Sequence, residues 1–234
     1  MRIQDQPAYI LHQRPFRDSS QILELFSRDH GRLSVLSRGS RSAKSKLRGV
    51  LQAFQPLHVS WSGKGELPVL GRAELMQQRS PSMKGMALPC GFYMNELIMR
   101  LLHRHDVHED VYDLYQQTLY ALSNPESVEI ELRLFEKSLL QLLGFGLNLS
   151  EDADTGEAVD ESQNYMYYIE HGPVLVSADH VDSHHLVISG RSLQAYEQDD
   201  LRSSQARKEI KSLMRYVLSY YLGDKPLKSR ELFR

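Results

Sequence analysis

The sequence predicts a multidomain protein of α and β parts. A small β-barrel is expected at residues 1–80, followed at 81–234 by a mainly α-helical domain carrying a small irregular/β insertion at about 147–189. Two observations lead there. Apolar residues recur with a period of two before Ser80-Pro81 and with a period near 3.6 after it. Charge is segregated in the same way. Residues 1–80 hold 13 Lys/Arg against 6 Asp/Glu, residues 96–200 hold 5 against 21, and residues 201–234 hold 9 against 3.

Residues 8–14, 21–28 and 32–38 read as strands, mixing alternating and apolar runs with β-branched and aromatic side chains. His30-Gly31 is placed for a tight turn between the second and third. Two further strands, 51–61 and 66–76, flank Ser62-Gly63-Lys64-Gly65, a turn whose glycines tolerate positive φ. Five short strands with no helix between them fit a closed barrel better than a sandwich, and an OB-fold is the natural candidate.

Past Pro81, Met86, Cys90, Tyr93/Met94, Leu97 and Leu101 share one helical face. Val111, Leu114/Tyr115, Thr118 and Leu122 form a second stripe. Asn124-Pro125 is suited to open a third helix, with Val128, Leu132, Phe135, Leu139 and Leu142/Leu143 along its apolar face and Gly144 at its end. Residues 147–189 look acidic and turn-rich, with a short ribbon at 165–169 and 174–176. A last helix runs from Ser204 to Gly223, with Ile210, Leu213/Met214, Val217/Leu218 and Tyr221 on one side, before a basic terminal segment.

With 41% hydrophobic and 25% charged residues in 234, the chain can bury a sizeable core. No run approaches the roughly 18 apolar residues that span a bilayer, and the first ten residues have no signal-like apolar stretch. Cys90 is the sole cysteine, which excludes an intramolecular disulfide and a cysteine-rich zinc cluster. A cytoplasmic, nucleoid-associated location is expected.

Catalytic patterns are missing: there is no GxSxG, HExxH, Walker lysine loop, or GxGxxG after a strand. His103, His105 and His108 have the residue type of metal ligands, but read as imidazoles at a helix end. His184-His185 beside Asp182 reads similarly. No catalytic residue, metal or cofactor is expected. The strongest local signal is the segment from Arg38 to Arg48. It carries Arg38, Arg41, Lys44, Lys46 and Arg48 with three serines and no acid. A flexible loop of this composition can follow a phosphate backbone without reading sequence. Tyr9, Phe16, Phe26, Phe54 and Trp61 are aromatics of the same module, of which one or two are expected to be free to stack on bases.

The same residues resemble the RecO family of DNA-repair proteins. The resemblance rests on YILHQRPFRDSS at 9–20, LFSRDHGR at 25–32, the basic loop, LQAFQP at 51–56, GFYMNEL at 91–97, LRLFE at 132–136, LGFGLN at 143–148, TGE at 155–157 and YLGDKPLKSRELF at 221–233. It implies a non-catalytic recombination mediator that binds single- and double-stranded DNA and anneals complementary strands. It further implies association with RecR, contact with the C-terminal tail of single-stranded-DNA-binding protein, help in loading RecA, and a functional link to RecF. Many relatives carry a four-cysteine zinc site. Here Asp152 and Thr155 match its first cysteine pair, so zinc is not expected, and packing and hydrogen bonds must hold the acidic loop.

Arg14, Arg17, Arg32, Arg38, Arg41, Lys44, Lys46 and Arg48 are the expected DNA-binding residues. Arg133, in the LRLFE motif, is the candidate cation for the partner tail; the bland reading makes it an exposed pair with Glu129 or Glu136. An RNA-binding or translation-associated OB-fold module is the alternative from another class. An enzyme using the central acids and histidines is a third.

Overall fold

The computed structural model describes residues 2–176 and 186–233. By its contacts the chain divides into two units, residues 1–128 with 226–234, and residues 129–225.

The first unit is built on five strands: β1 (Arg2–Phe16), β2 (Ser20–Ser27), β3 (Gly31–Ser37), β4 (Leu57–Ser62) and β5 (Val69–Leu75). Their pairings run in a ring, β1-β2-β3-β5-β4 and back to β1. One set of alternating side chains, including Ala8, Ile10, Leu23, Leu25, Leu33, Val35, Leu57 and Val59, points into an apolar interior. The expected closed OB-fold barrel needs correction at one seam. β3 and β5 share a single parallel bridge, Leu36 to Val69, next to a bond from Leu36 N–H to the Pro68 carbonyl. Only the last residues of β3 meet the first residue of β5, and Pro68 offers no N–H to extend a ladder. The element is a sheet rolled on itself with that seam almost free of backbone pairing.

β1 serves two partners, pairing with β4 through its first half and with β2 through its second. The register slips between Ile10 and His12, leaving Leu11 unpaired in a bulge that helps the long strand bend. A bulge orphans backbone groups, and here the Leu11 carbonyl accepts from Asn95 Nδ2 at 2.9 Å, while Asn95 Oδ1 accepts from the Tyr115 hydroxyl at 2.7 Å. Asn95 lies on α1 (Ala87–Leu101) and Tyr115 on α2 (Glu109–Ala121).

These helices cover the outside of β1 and β2. Tyr9 and Phe26, paired across the two strands, meet Tyr112 and Tyr115 with ring centroids 5.2–6.0 Å apart. β2 is thus buried on both faces from Ile22 to Ser27. Residues 51–56, expected to begin a strand, lie outside one. Leu51 joins the interior with Leu47 and Val50 packed beside it, and β4 starts only at Leu57. Met86, placed on a core stripe by its spacing, is exposed. The terminal segment returns to α1, where the Glu96 carboxylate accepts from the N–H groups of Lys228 (3.0 Å) and Ser229 (2.8 Å).

In the second unit, α3 (Val128–Leu142) begins three residues after Pro125 rather than at it. The expected ribbon at 165–169 and 174–176 is present as β6 (Asn164–Tyr168) and β7 (Gly172–Leu175), and an unforeseen third strand, β8 (Leu186–Ser189), extends it into an antiparallel sheet, β7-β6-β8. Two serine-capped helices follow, α4 (Gly190–Glu197), which the periodicity did not disclose, and α5 (Ser204–Leu222). Ile210, Leu213, Met214, Val217 and Leu218 of α5 are buried as their spacing requires, and Gly223 ends the helix at a φ of 66°.

Candidate nucleic-acid interface

The hairpin tip between β1 and β2 turns through Arg17, which holds a φ of 53°. The basic segment folds back onto this tip. Arg41 N–H donates to the Ser19 carbonyl at 2.8 Å, Gly39 N–H donates to Ser20 Oγ at 3.4 Å, and the Arg41 guanidinium reaches the Arg17 carbonyl at 3.3 Å. A flexible loop was the expectation from its serines. Consecutive turns are found instead, with Ser42 N–H donating to Gly39 O, Ser45 N–H to Ser42 O, and Arg48 N–H to Ser45 O. Ser45 Oγ also caps the short 3-10 helix Lys46–Gly49. Leu47 and Val50 pin that helix to the sheet interior, so the cations are displayed from an ordered base.

Seven of the eight expected cations, Arg14, Arg17, Arg38, Arg41, Lys44, Lys46 and Arg48, are exposed. Among the described residues, none of the seven is held in an ion pair. Two other basic residues of the unit are occupied: Arg28 pairs with Glu109 (2.7 Å) and Asp113 (3.1 Å), and Arg72 with Glu74 (2.7 Å). Arg32 separates from the group. Its side chain keeps only 15% exposure, reaches the Met99 carbonyl at 2.5 Å and lies 3.6 Å from Glu24. Burial lowers the Arg32 pKa below the usual guanidinium value, with nearby Glu24 opposing the shift.

Most of the aromatics are used internally. Tyr9 and Phe26 sit under the helices, Phe54 packs on Phe92 with centroids 5.0 Å apart, and Trp61 belongs to the sheet interior. Phe16 remains half-buried at the cationic tip, with the Arg17 guanidinium 5.2 Å from its ring. It is the stacking candidate that the structure leaves beside these exposed charges.

Arg133 pairs with Glu136, one of its two expected partners, but the pair is buried, not exposed. Its side chain is 8% exposed and pairs at 2.6 Å with Glu136, which is fully buried. The Tyr196 hydroxyl donates to the Arg133 carbonyl at 2.7 Å, fixing α4 to α3. The histidines diverge. His105 N–H bonds to the Arg32 carbonyl, while His108 lies 3.1 Å from Asp106. Among the described residues no group of three or more His, Cys, Asp or Glu is placed to hold a metal. Asp182, His184 and His185 lie outside the described residues.

The family's zinc cluster does not fit the donors present. Asp152 is buried, and its carboxylate accepts from the N–H groups of Asp154 (3.0 Å), Thr155 (3.0 Å) and Leu175 (2.7 Å). Those backbone donors already use both oxygens. Burial raises the Asp152 pKa, but the bonds from Thr155, Leu175 and Asp154 together outweigh it and leave the group below its ordinary 3.8. A depressed carboxylate contributes stability above the unfolded value and loses it as pH falls through the folded one. The loop joining Asp152 to β7 should therefore loosen below about pH 4. Asp152→Ala strands three N–H groups and is expected to cost about 2–4 kcal/mol locally. Faster amide exchange at Asp154, Thr155 and Leu175 is the measurement.

Several of these roles were missed in the sequence. Glu24 interrupts the otherwise apolar run at residues 22–26 of β2, a signal that a carboxylate there must be partnered. No local pattern marked Asn95 as the partner of a bulge.

A rolled sheet that gathers seven unpaired cations at one end has the electrostatic build of a protein that faces a polyanion. Comparison with known sequences makes the assignment particular. Residues 1–79 match the family described as recombination protein O N terminal, and residues 85–231 match recombination protein O C terminal. The chain is 43% identical to the DNA repair protein RecO of Dechloromonas aromatica, covering all of this chain and 96% of that protein. It is 44% identical to the RecO of Alkalilimnicola ehrlichii, covering all of this chain and 92% of that one. The chain belongs to the RecO family. Its function is the family's: recombination mediation in DNA repair, without catalysis. Among the described residues, no helix is long and apolar enough to cross a membrane.

Proposed function

We propose that the cationic end of the rolled sheet binds single- and double-stranded DNA through its phosphates. The observation carrying this reading is the set of exposed cations, Arg14, Arg17, Arg38, Arg41, Lys44, Lys46 and Arg48, displayed without carboxylate partners. Guanidinium and ammonium groups on a turn-rich base neutralise phosphates whatever the sequence. Annealing follows from the same chemistry, because two polyanions held near one cationic surface repel each other less.

Family membership supports the remaining roles: binding the C-terminal tail of single-stranded-DNA-binding protein, association with RecR, delivery of RecA to coated strands, and a functional link to RecF. Arg133 as the direct tail contact would require its pair with Glu136 to open, so the geometry favours a positioning role for it within α3. Nothing in the sheet favours an RNA-binding or translation-associated module.

The test is annealing of complementary oligonucleotides precoated with intact or tail-deleted single-stranded-DNA-binding protein. The tail-deleted coat is expected to slow annealing about tenfold or more, equivalent to about 1.4 kcal/mol. Equal rates with the two coats would remove the tail contact from the mechanism.

A further inference from the structure

Away from the basic loop, the first unit contains a cavity of about 420 Å³ lined by Ile3, Leu33, Trp61, Pro68 and Val107, with His30, His105 and Lys64 also at its wall. It adjoins the seam where β3 and β5 hardly pair, and Leu33 and Trp61 of the sheet interior form part of its wall. We infer that this cavity receives one unstacked nucleobase of a bound single strand, with Lys64 meeting the adjoining phosphate. The inference rests on the DNA-binding reading above and deepens it.

The lining suits that ligand. Trp61 and His30 stand edge to face, with centroids 5.3 Å apart and an interplanar angle of 82°. A flat heterocycle parallel to one ring meets the other edge-on, the arrangement aromatic groups prefer. Ile3, Leu33 and Val107 supply an apolar boundary, while imidazole nitrogens can bond to base edges. The volume lies within the range of small-molecule sites, and among the described residues no acidic side chain lines it. Lys64 is exposed between Gly63 and Gly65, whose φ values are 143° and 91°. That turn gives a phosphate close approach to both the ammonium and the backbone.

The wall is also built under constraint. His105 is held at a φ of 61° while its N–H bonds to the Arg32 carbonyl at 2.9 Å. Gly31, at a φ of 62°, lies so close to the Asp106 carbonyl that a Cβ would collide with it. Non-glycine residues take such conformations when their surroundings enforce them, so the histidine is set in place against the turn after β2.

Trp61 is the chain's only tryptophan, which makes the cavity directly observable. The experiment titrates the full chain with an oligothymidylate and with an abasic strand of equal length, reading tryptophan emission and the anisotropy of a label on the strand. Both strands should bind through their phosphates, but only the base-bearing strand should quench Trp61, and it should bind about 5- to 20-fold more tightly. His105→Ala, at an exposed position, should reduce that advantage while leaving abasic binding nearly intact, whereas Lys64→Ser, which loses a phosphate contact, should weaken both strands by a similar factor. Equal affinities without quenching would overturn the base pocket and leave phosphate binding standing. Failure of both strands to bind would overturn both. Quenching by the partner-tail peptide with none by DNA would overturn the nucleobase assignment in favour of a protein side chain.

Discussion

Changing Arg41, Lys44 and Lys46 together to glutamate is expected to weaken single-stranded DNA binding by about 100-fold or more near 0.1 M salt. Each phosphate contact on a single strand contributes about 0.7 to the salt exponent, so three lost contacts remove about two decades at that concentration before added repulsion counts. Phe16 and the base cavity remain in the variant, so residual binding should become less sensitive to salt. Folding should survive, because Leu47 and Val50, rather than these cations, anchor the segment. Arg41 also bonds to the Arg17 carbonyl at 3.3 Å, so Arg41→Lys, which keeps the charge without the guanidinium fork, compared with Arg41→Gln, separates loss of charge from loss of that tether. Anisotropy titration of a labelled oligonucleotide reads the effect.

The largest expected effect on stability comes from Glu24. Its carboxylate accepts from Ser34 Oγ at 2.6 Å and Arg104 at 3.2 Å and lies 3.6 Å from Arg32, all beneath the connection that follows α1. Glu24→Ala leaves the enclosed Arg32 without its counter-charge, and removal of one partner from a buried pair costs about 3–5 kcal/mol. Combining Glu24→Leu with Arg32→Met removes both charges and should recover most of that loss. Urea unfolding followed by Trp61 emission reports on the same unit. A single variant within about 0.5 kcal/mol of wild type would show that the cluster is not structural.

Strand and helix periodicity were legible because burial repeats locally. Ile10, Leu23 and Leu25 alternate inward, and Leu213, Met214 and Val217 recur along α5. Long-range partnership was not legible. Arg32 has the same composition signal as Arg38, yet one turns toward Glu24 and the other to solvent, a difference set by the chain near Met99 and Arg104. Tyr9 and Phe26 looked available for stacking because sequence does not show that α2 covers the outer face of their strands. The β3–β5 seam was likewise invisible, since it depends on where two strand ends meet. In the sheet around β6 the β6–β7 ribbon was legible, but the third strand, β8, was not, being only four residues long.

The central claim is that charge, presented by an ordered loop on a hairpin tip, provides the grip on DNA. Its most direct test is the slope of log affinity against log salt for the wild-type chain on single-stranded DNA, measured beside the triple-glutamate variant. Up to seven phosphate contacts at about 0.7 each imply a wild-type slope between about −3 and −5, shallower by about 2 in the variant. A slope near zero, or one that the three reversals leave unchanged, would contradict the account.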